Sequence, residues 1–173
     1  MNKKVDSDVC EFLPWDTDFF GFRIARVKEN HLTDQSVKDI LAWIKNHSID
    51  CLYFLAGFND PKTTQLAHTH DFQLVDIRVT FECNLKKQVQ EQVTNKVLIR
   101  PAQPNDIHSL EAIARKSYDS TRFHFDQHFP KEKSDALYEI WIRRSCEGYE
   151  DHVLVAEVEN QAVGYITLKL LGN

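Results

Sequence analysis

Residues 120–130 read STRFHFDQHFP and hold more chemistry than a connector needs. Arg122 can make a planar, bidentate contact with a phosphate. His124 can take or give a proton near neutral pH, Asp126 supplies a carboxylate two positions on, and Phe123 and Phe125 alternate with them. The same stretch also suits an ordinary packed loop with His124 as a polar surface group. A second group lies at the front of the chain, where Trp15, Phe19 and Phe20 crowd around Asp16 and Asp18. Aromatic faces pack on sugar or base rings and a carboxylate can hold a hydroxyl or an ammonium, whereas the bland alternative is a hydrophobic plug with Gly21 supplying a turn. A third group is Asp76 with Glu82, on the polar side of an alternating stretch; they are candidate carboxylates or plain solvent-facing residues.

Several chemistries are excluded. His68 and His70 sit two apart, as do His124 and Asp126, but neither pair has further ligands at a recognisable spacing, so no metal site is expected. The five glycines are never closer than eight positions, which rules out both a GxGxxG dinucleotide loop and a P-loop. A formal charge of -5, with Arg143 and Arg144 the only dense basic pair, argues against nucleic acid as a partner. Cys10, Cys51, Cys83 and Cys146 are widely spaced, with no CxxC pair, and read as reduced thiols. The opening MNKKVDSDVCEF has no apolar run and no stretch suits a membrane span, so the expectation is a cytoplasmic protein.

The elements that must position these groups fall into an α/β pattern. Residues 22–28 predict a strand, and Thr33 caps a helix whose Val37, Ile40, Leu41 and Ile44 share one face. CLYFLAG is a continuous apolar run suited to a strand covered on both faces, and Asp60 with Pro61 opens a short helix. Val75, Ile77, Val79, Phe81 and Cys83 then alternate with polar residues as a strand with one buried face. This is a β-α-β-α-β unit over residues 1–84. The polar, glutamine-rich residues 85–96 read as a linker. Over residues 97–173 the order is β-α-α-β-β: a strand, a helix carrying Ile107, Leu110, Ile113, Ala114 and Tyr118, and a second helix carrying Leu137, Ile140, Trp141 and Ser145. Two strands then meet at a turn at Glu159, Asn160 and Gln161.

The second unit, from IRPAQPNDI to the hairpin ending VGYITL, resembles the first half of the GNAT family of N-acetyltransferases. LPWDTDFFGF, DFQLVDIRVTFE, and STRFHFDQHFP with ALYEIWI occur in order and are similar to the TDP-fucosamine acetyltransferase group. The resemblance implies acetyl transfer from acetyl-CoA to the amino group of a nucleotide-linked aminosugar, in surface polysaccharide biosynthesis. It implies that Asp76 relays the amine proton through water, and that Trp15, Phe20, Arg122, Phe123, His124 and Asp126 border the acceptor. In that family the hairpin is followed by a central strand and a Q/R-x-x-G-x-G/A loop that binds the CoA pyrophosphate. Neither is found before Asn173, nor is the tyrosine that protonates the leaving thiolate. The expectation is therefore an incomplete GNAT domain, inactive alone, with the cofactor residues beyond Asn173. Two other readings stay open: a GNAT enzyme for another amine, and a binding or assembly module that forms a homodimer through the edge of its C-terminal strand.

Overall fold

The computed structural model describes residues 8–84 and 97–171. The expected linker, residues 85–96, lies outside the described residues. The chain is mixed α/β and divides into two compact units, Met1–Leu74 and Val75–Asn173, each with a three-stranded sheet.

The first unit runs β1 (Cys10–Phe12), α1 (Pro14–Phe20), β2 (Ile24–Val27), α2 (Asp34–His47), β3 (Cys51–Tyr53) and α3 (Pro61–Thr69). β2 is central, antiparallel to β1 and parallel to β3, so α2 is the crossover that parallel neighbours require. The α2 cap is reciprocal: the Thr33 hydroxyl accepts from the Ser36 N–H at 3.0 Å and the Ser36 hydroxyl accepts from the Thr33 N–H at 2.8 Å. Asp60 caps α3 by accepting from the Lys62 and Thr63 N–H groups, with Pro61 in the first turn. Val37, Ile40 and Trp43 bury one face of α2 against Cys10, Ala25 and Val27. Thr63 is wholly buried and ties α3 to this core, donating to Asp60 at 2.6 Å and accepting from the Leu32 N–H at 2.7 Å.

This half differs from expectation in two places. Pro14–Phe20, where no element was expected, form the helix α1, ended by Gly21 in the left-handed region (φ 86°), the turn expected of it, with its N–H bonded to the Thr17 carbonyl. Residues 75–83, expected as a strand, form none, and no strand partner for them is found among the described residues. Alternation specifies which side of a segment is apolar; it does not supply the edge that a ladder needs. The first unit is consequently β-α-β-α-β-α, and the apolar run CLYFLAG yields only the three-residue edge strand β3.

The second unit runs β4 (Leu98–Pro101), α4 (Ile107–Ser117), α5 (Arg122–Phe125), α6 (Lys131–Arg144), β5 (His152–Val158) and β6 (Gln161–Leu168). With α5 added, this is the expected β-α-α-β-β order. The sheet is antiparallel with β5 in the middle. Glu159 and Asn160 both take positive φ (49° and 62°), the two-residue turn that matches strand twist. An irregularity at Ala156/Glu157 shifts the pairing, so that Ala156 faces Gly164 while Glu157 faces Ala162. Leu110, Ala114, Ile142, Val153 and Val155 form the core where α4 and α6 meet the sheet. On α6 the buried side chains are Ser134, Leu137 and Ile142; Trp141, expected inward, is 37% exposed.

The IRPAQPND stretch has a physical role here. Arg100 on β4 grips Asp106 through two bonds of 2.7 and 2.9 Å and holds Glu157 of β5 at 2.6 and 2.8 Å. Asp106 also accepts from the Gln103 N–H at 2.7 Å, which fixes the turn into α4. The guanidinium beside it holds the Asp106 carboxyl below the usual carboxylate range. Strand, helix entry and hairpin are thus locked by one charge cluster. No helix among the described residues is long and apolar enough to cross a membrane.

Candidate functional site

The predicted site residues fall in both units. Trp15 and Phe20 lie on α1 of the first unit, where Trp15 stacks on Phe19 at 5.1 Å and Phe20 is buried with the Phe19 ring against its edge. Arg122, Phe123, His124, Asp126 and Asp76 lie in the second unit.

Within the α5 region the roles separate. Phe123 is 1% exposed, with its ring edge-on to Phe129 and Trp141 and its carbonyl accepting from the buried Ser134 hydroxyl at 2.8 Å. It anchors α5 on α6 and offers no face to a ligand. Asp126 ends α5 and accepts from the His128 N–H at 3.0 Å, with His128 Nδ1 2.7 Å away, which makes it a turn-forming residue. The Arg122 guanidinium lies 4.3 Å from the centre of the Phe123 ring, a cation–π contact that orients it.

His124 is held at both ring nitrogens. Nδ1 is 2.9 Å from the Thr121 hydroxyl, and Nε2 is 3.1 Å from Asp135 Oδ1. Asp135 also accepts from Lys131 at 3.0 Å, and these two donors hold its carboxyl below the usual range. An ionised carboxylate only accepts, so Nε2 carries the proton and Nδ1 faces the hydroxyl. Tyr138, one helical turn on from Asp135, shares a side-chain hydrogen bond with the same Thr121. A continuous line Asp135–His124–Thr121–Tyr138 results, with the phenol at its end.

Three tyrosines meet at this end. Tyr138 stacks on Tyr118 at 4.4 Å, and Tyr118 hydrogen-bonds Tyr165 of β6. Burial pushes the Tyr138 phenol above its ordinary value, against the opposing effects of the Thr121 bond and the Arg122 charge, while the Asp76 charge adds to the rise. The charges of Asp76 and Arg122 therefore both reach Tyr138, with opposite effect. The Asp76 side chain itself is exposed and accepts from the Ile77 N–H at 2.7 Å. The charge of Arg122 and that of Asp76 were legible in sequence; Thr121, Asp135, Tyr138 and Tyr165 were missed. Asp135 and Tyr138, three apart on α6, were the available signal.

Other places are less suited to chemistry. A depression of about 480 Å³ is lined by residues from Pro101 to Pro104, from Ser145 to Gly148 and from Glu150 to Leu154, Glu147, Glu150 and Asp151 among them. It shares no residue with the tyrosine cluster. No group of three His, Cys, Asp or Glu among the described residues could hold a metal ion. The first-turn donors of α2 and α3 are taken by Thr33 and Asp60, α6 opens without a side-chain cap, and no glycine opens a helix among the described residues, so these residues show no glycine-rich loop of the kind that holds a pyrophosphate such as that of acetyl-CoA. Compared with models of known protein families and with curated proteins, the chain matches none.

Proposed function

We propose that this chain carries the acceptor side of a GNAT-type N-acetyltransferase that moves an acetyl group from acetyl-CoA to the amine of a nucleotide-linked aminosugar, TDP-fucosamine-like. The observation that carries the reading is that Asp76, Arg122 and Tyr138 belong to one unit, where both charges reach the phenol. Arg122 matches the diphosphate of such an acceptor in charge and planarity. The substrate ammonium must lose a proton before it can attack a carbonyl, and the Asp76 carboxylate takes that proton through water. Tyr138, kept protonated by burial, donates its proton to Thr121, whose own hydroxyl donates to His124 in the line that ends at Asp135, so the phenol oxygen is held ready to accept a hydrogen bond from a sugar hydroxyl. Acetyl-CoA supplies the activated acetyl group; its handling is not assigned to any residue here. The β-α-α-β-β order and the Arg100–Asp106 clamp at IRPAQPND agree with the family resemblance.

Calorimetric titration of thymidine diphosphate into the 173-residue chain tests this. Binding is expected, and Arg122→Ala should weaken it by at least about tenfold, the cost of one charge-assisted contact. Equal binding by the variant, or no binding by the chain, would refute the nucleotide-sugar reading. With acetyl-CoA and an aminosugar nucleotide supplied, thiol release by this chain should stay near background, since the resemblance assigns the pyrophosphate to a Q/R-x-x-G-x-G/A loop that this sequence does not contain.

A further inference from the structure

Thr121 stands at the N-cap of α5 yet its side chain makes no hydrogen bond to the helix it opens. A capping side chain contributes about 1 kcal/mol to a helix, and Thr33 and Asp60 both cap in this way. The Thr121 hydroxyl turns instead to the His124 imidazole, 2.9 Å away at Nδ1. The far ring nitrogen, Nε2, meets Asp135 Oδ1 at 3.1 Å, and Lys131 reaches both oxygens of that carboxylate at 3.1 and 3.0 Å. A hydroxyl on an imidazole whose other nitrogen is held by an ionised carboxylate is the arrangement that activates an oxygen nucleophile. The set is sheltered and rigid. The His124 and Asp135 side chains are 10% and 21% exposed, and the buried Ser134 beside Asp135 fixes α5 on α6 by donating to the Phe123 carbonyl at 2.8 Å. Thr121 itself is half-buried, which leaves its oxygen open to a small substrate.

We propose that Thr121, His124 and Asp135 act as nucleophile, base and orienting carboxylate in the hydrolysis of carboxylic esters of small acyl groups. The β-branched side chain sets the acyl size, because the Thr121 methyl crowds the carbon that Oγ1 attacks. The bond from Oγ1 to the acyl carbon forms as the hydroxyl proton passes to Nδ1, and Asp135 stabilises the resulting imidazolium. The carbonyl oxygen takes the displaced electron pair. Tyr138, which donates to Oγ1 at rest, lies beside this oxyanion because both oxygens now share one carbon, and its hydrogen bond shifts from the first to the second. Collapse breaks the bond to the leaving alkoxide, which takes the proton from Nδ1. Water then attacks the acyl-threonine and gives a proton to the same nitrogen. Thr121 recovers that proton as it leaves, and the acid is released. Ester and water become acid and alcohol, with no other reactant. The reaction uses neither acetyl-CoA nor a nucleotide and is independent of the acetyltransferase reading.

The test is release of nitrophenolate from para-nitrophenyl acetate by the full chain near neutral pH, with circular dichroism to verify that each variant folds. A Cys83→Ser background is used because the exposed Cys83 thiol would itself take the acetyl group. Repeated turnover is expected. Thr121→Ala and His124→Gln should each lower the rate at least about a hundredfold, whereas Thr121→Ser should stay within about tenfold. Asp135→Asn should cost as much as His124→Gln: its amide donates to Nε2, the ring proton moves to Nδ1, and the hydroxyl loses its base. Acid quenching followed by peptide mass mapping should find acetyl on Thr121, because acylation by so reactive an ester outpaces hydrolysis of the threonine ester it forms. A rate unchanged by Thr121→Ala, turnover no faster than with the same concentration of free imidazole, or acetyl on lysines but never on Thr121 overturns the proposal.

Discussion

Asp106→Asn should cost the second unit a substantial part of its stability while leaving its hydrophobic core intact. The carboxylate receives two bonds from Arg100 and one from the Gln103 N–H, and its side chain is only 12% exposed. An asparagine keeps one oxygen, enough for Gln103, but turns an amide NH2 toward a guanidinium that can only donate. Two charge-assisted bonds are lost, each contributing about 1.5–3 kcal/mol. Arg100 retains Glu157 and part of its hydration, so the lower end applies and the loss is about 3 kcal/mol. For a domain of this size that lowers Tm by roughly 12–24 °C. Urea denaturation followed by circular dichroism reads it directly. The pH dependence gives a second check: because Asp106 titrates lower in the folded state than in the unfolded one, its stabilisation is complete above the unfolded carboxylate value of about 4 and fades as pH falls through the folded one. The gap between native chain and variant should be constant from pH 7 to 5 and shrink in stronger acid. A gap under about 0.5 kcal/mol, the size typical of a surface pair, would refute the clamp, as would one that stays constant into strong acid.

Further outcomes concern single groups. Thr63→Ala strands the buried Leu32 N–H and removes a donor from Asp60, so the first unit should lose about 2–3 kcal/mol in the same urea assay while Thr63→Ser retains most of it. Burial pushes the Cys10 thiol up to about 11, whereas Cys83 is exposed. At pH 8 an aromatic disulfide reagent should therefore modify Cys83 within the native protein and Cys10 only after denaturation, as read by mass mapping.

The elements with strong local signals were legible in sequence. Thr33, Asp60 and Pro61 mark helix starts because capping is a matter of a few adjacent residues, and the polar pair Glu159–Asn160 marks a turn for the same reason. The α1 helix was hidden because its seven residues are mostly aromatic or acidic, although Pro14 and Gly21 bracket it as start and stop. Residues 75–83 misled because the missing information was the partner, which is never local. The same division runs through the site. Arg122 and His124 declare their chemistry by residue type, whereas the line from Asp135 to Tyr138 depends on α5 folding back on α6 around the buried Phe123. That fold-back is a tertiary event with no adjacent-residue signature.

The pairing shift in the β5–β6 hairpin has a consequence for the tyrosine cluster. Ala162 and Tyr165 are three residues apart, an odd spacing that in an uninterrupted strand sends two side chains to opposite faces. Both nevertheless pack toward the core under α4 and α6. The hairpin register moves from Ala156–Gly164 directly to Glu157–Ala162, so Val163 is the residue without an opposite number. It acts as a parity switch: one uncounted position lets the turn-side end, which carries the Glu157 bond to Arg100, and the far end, which carries Tyr165 to Tyr118, point the same way. The charge clamp and the aromatic site are in that sense phased against each other by a single valine.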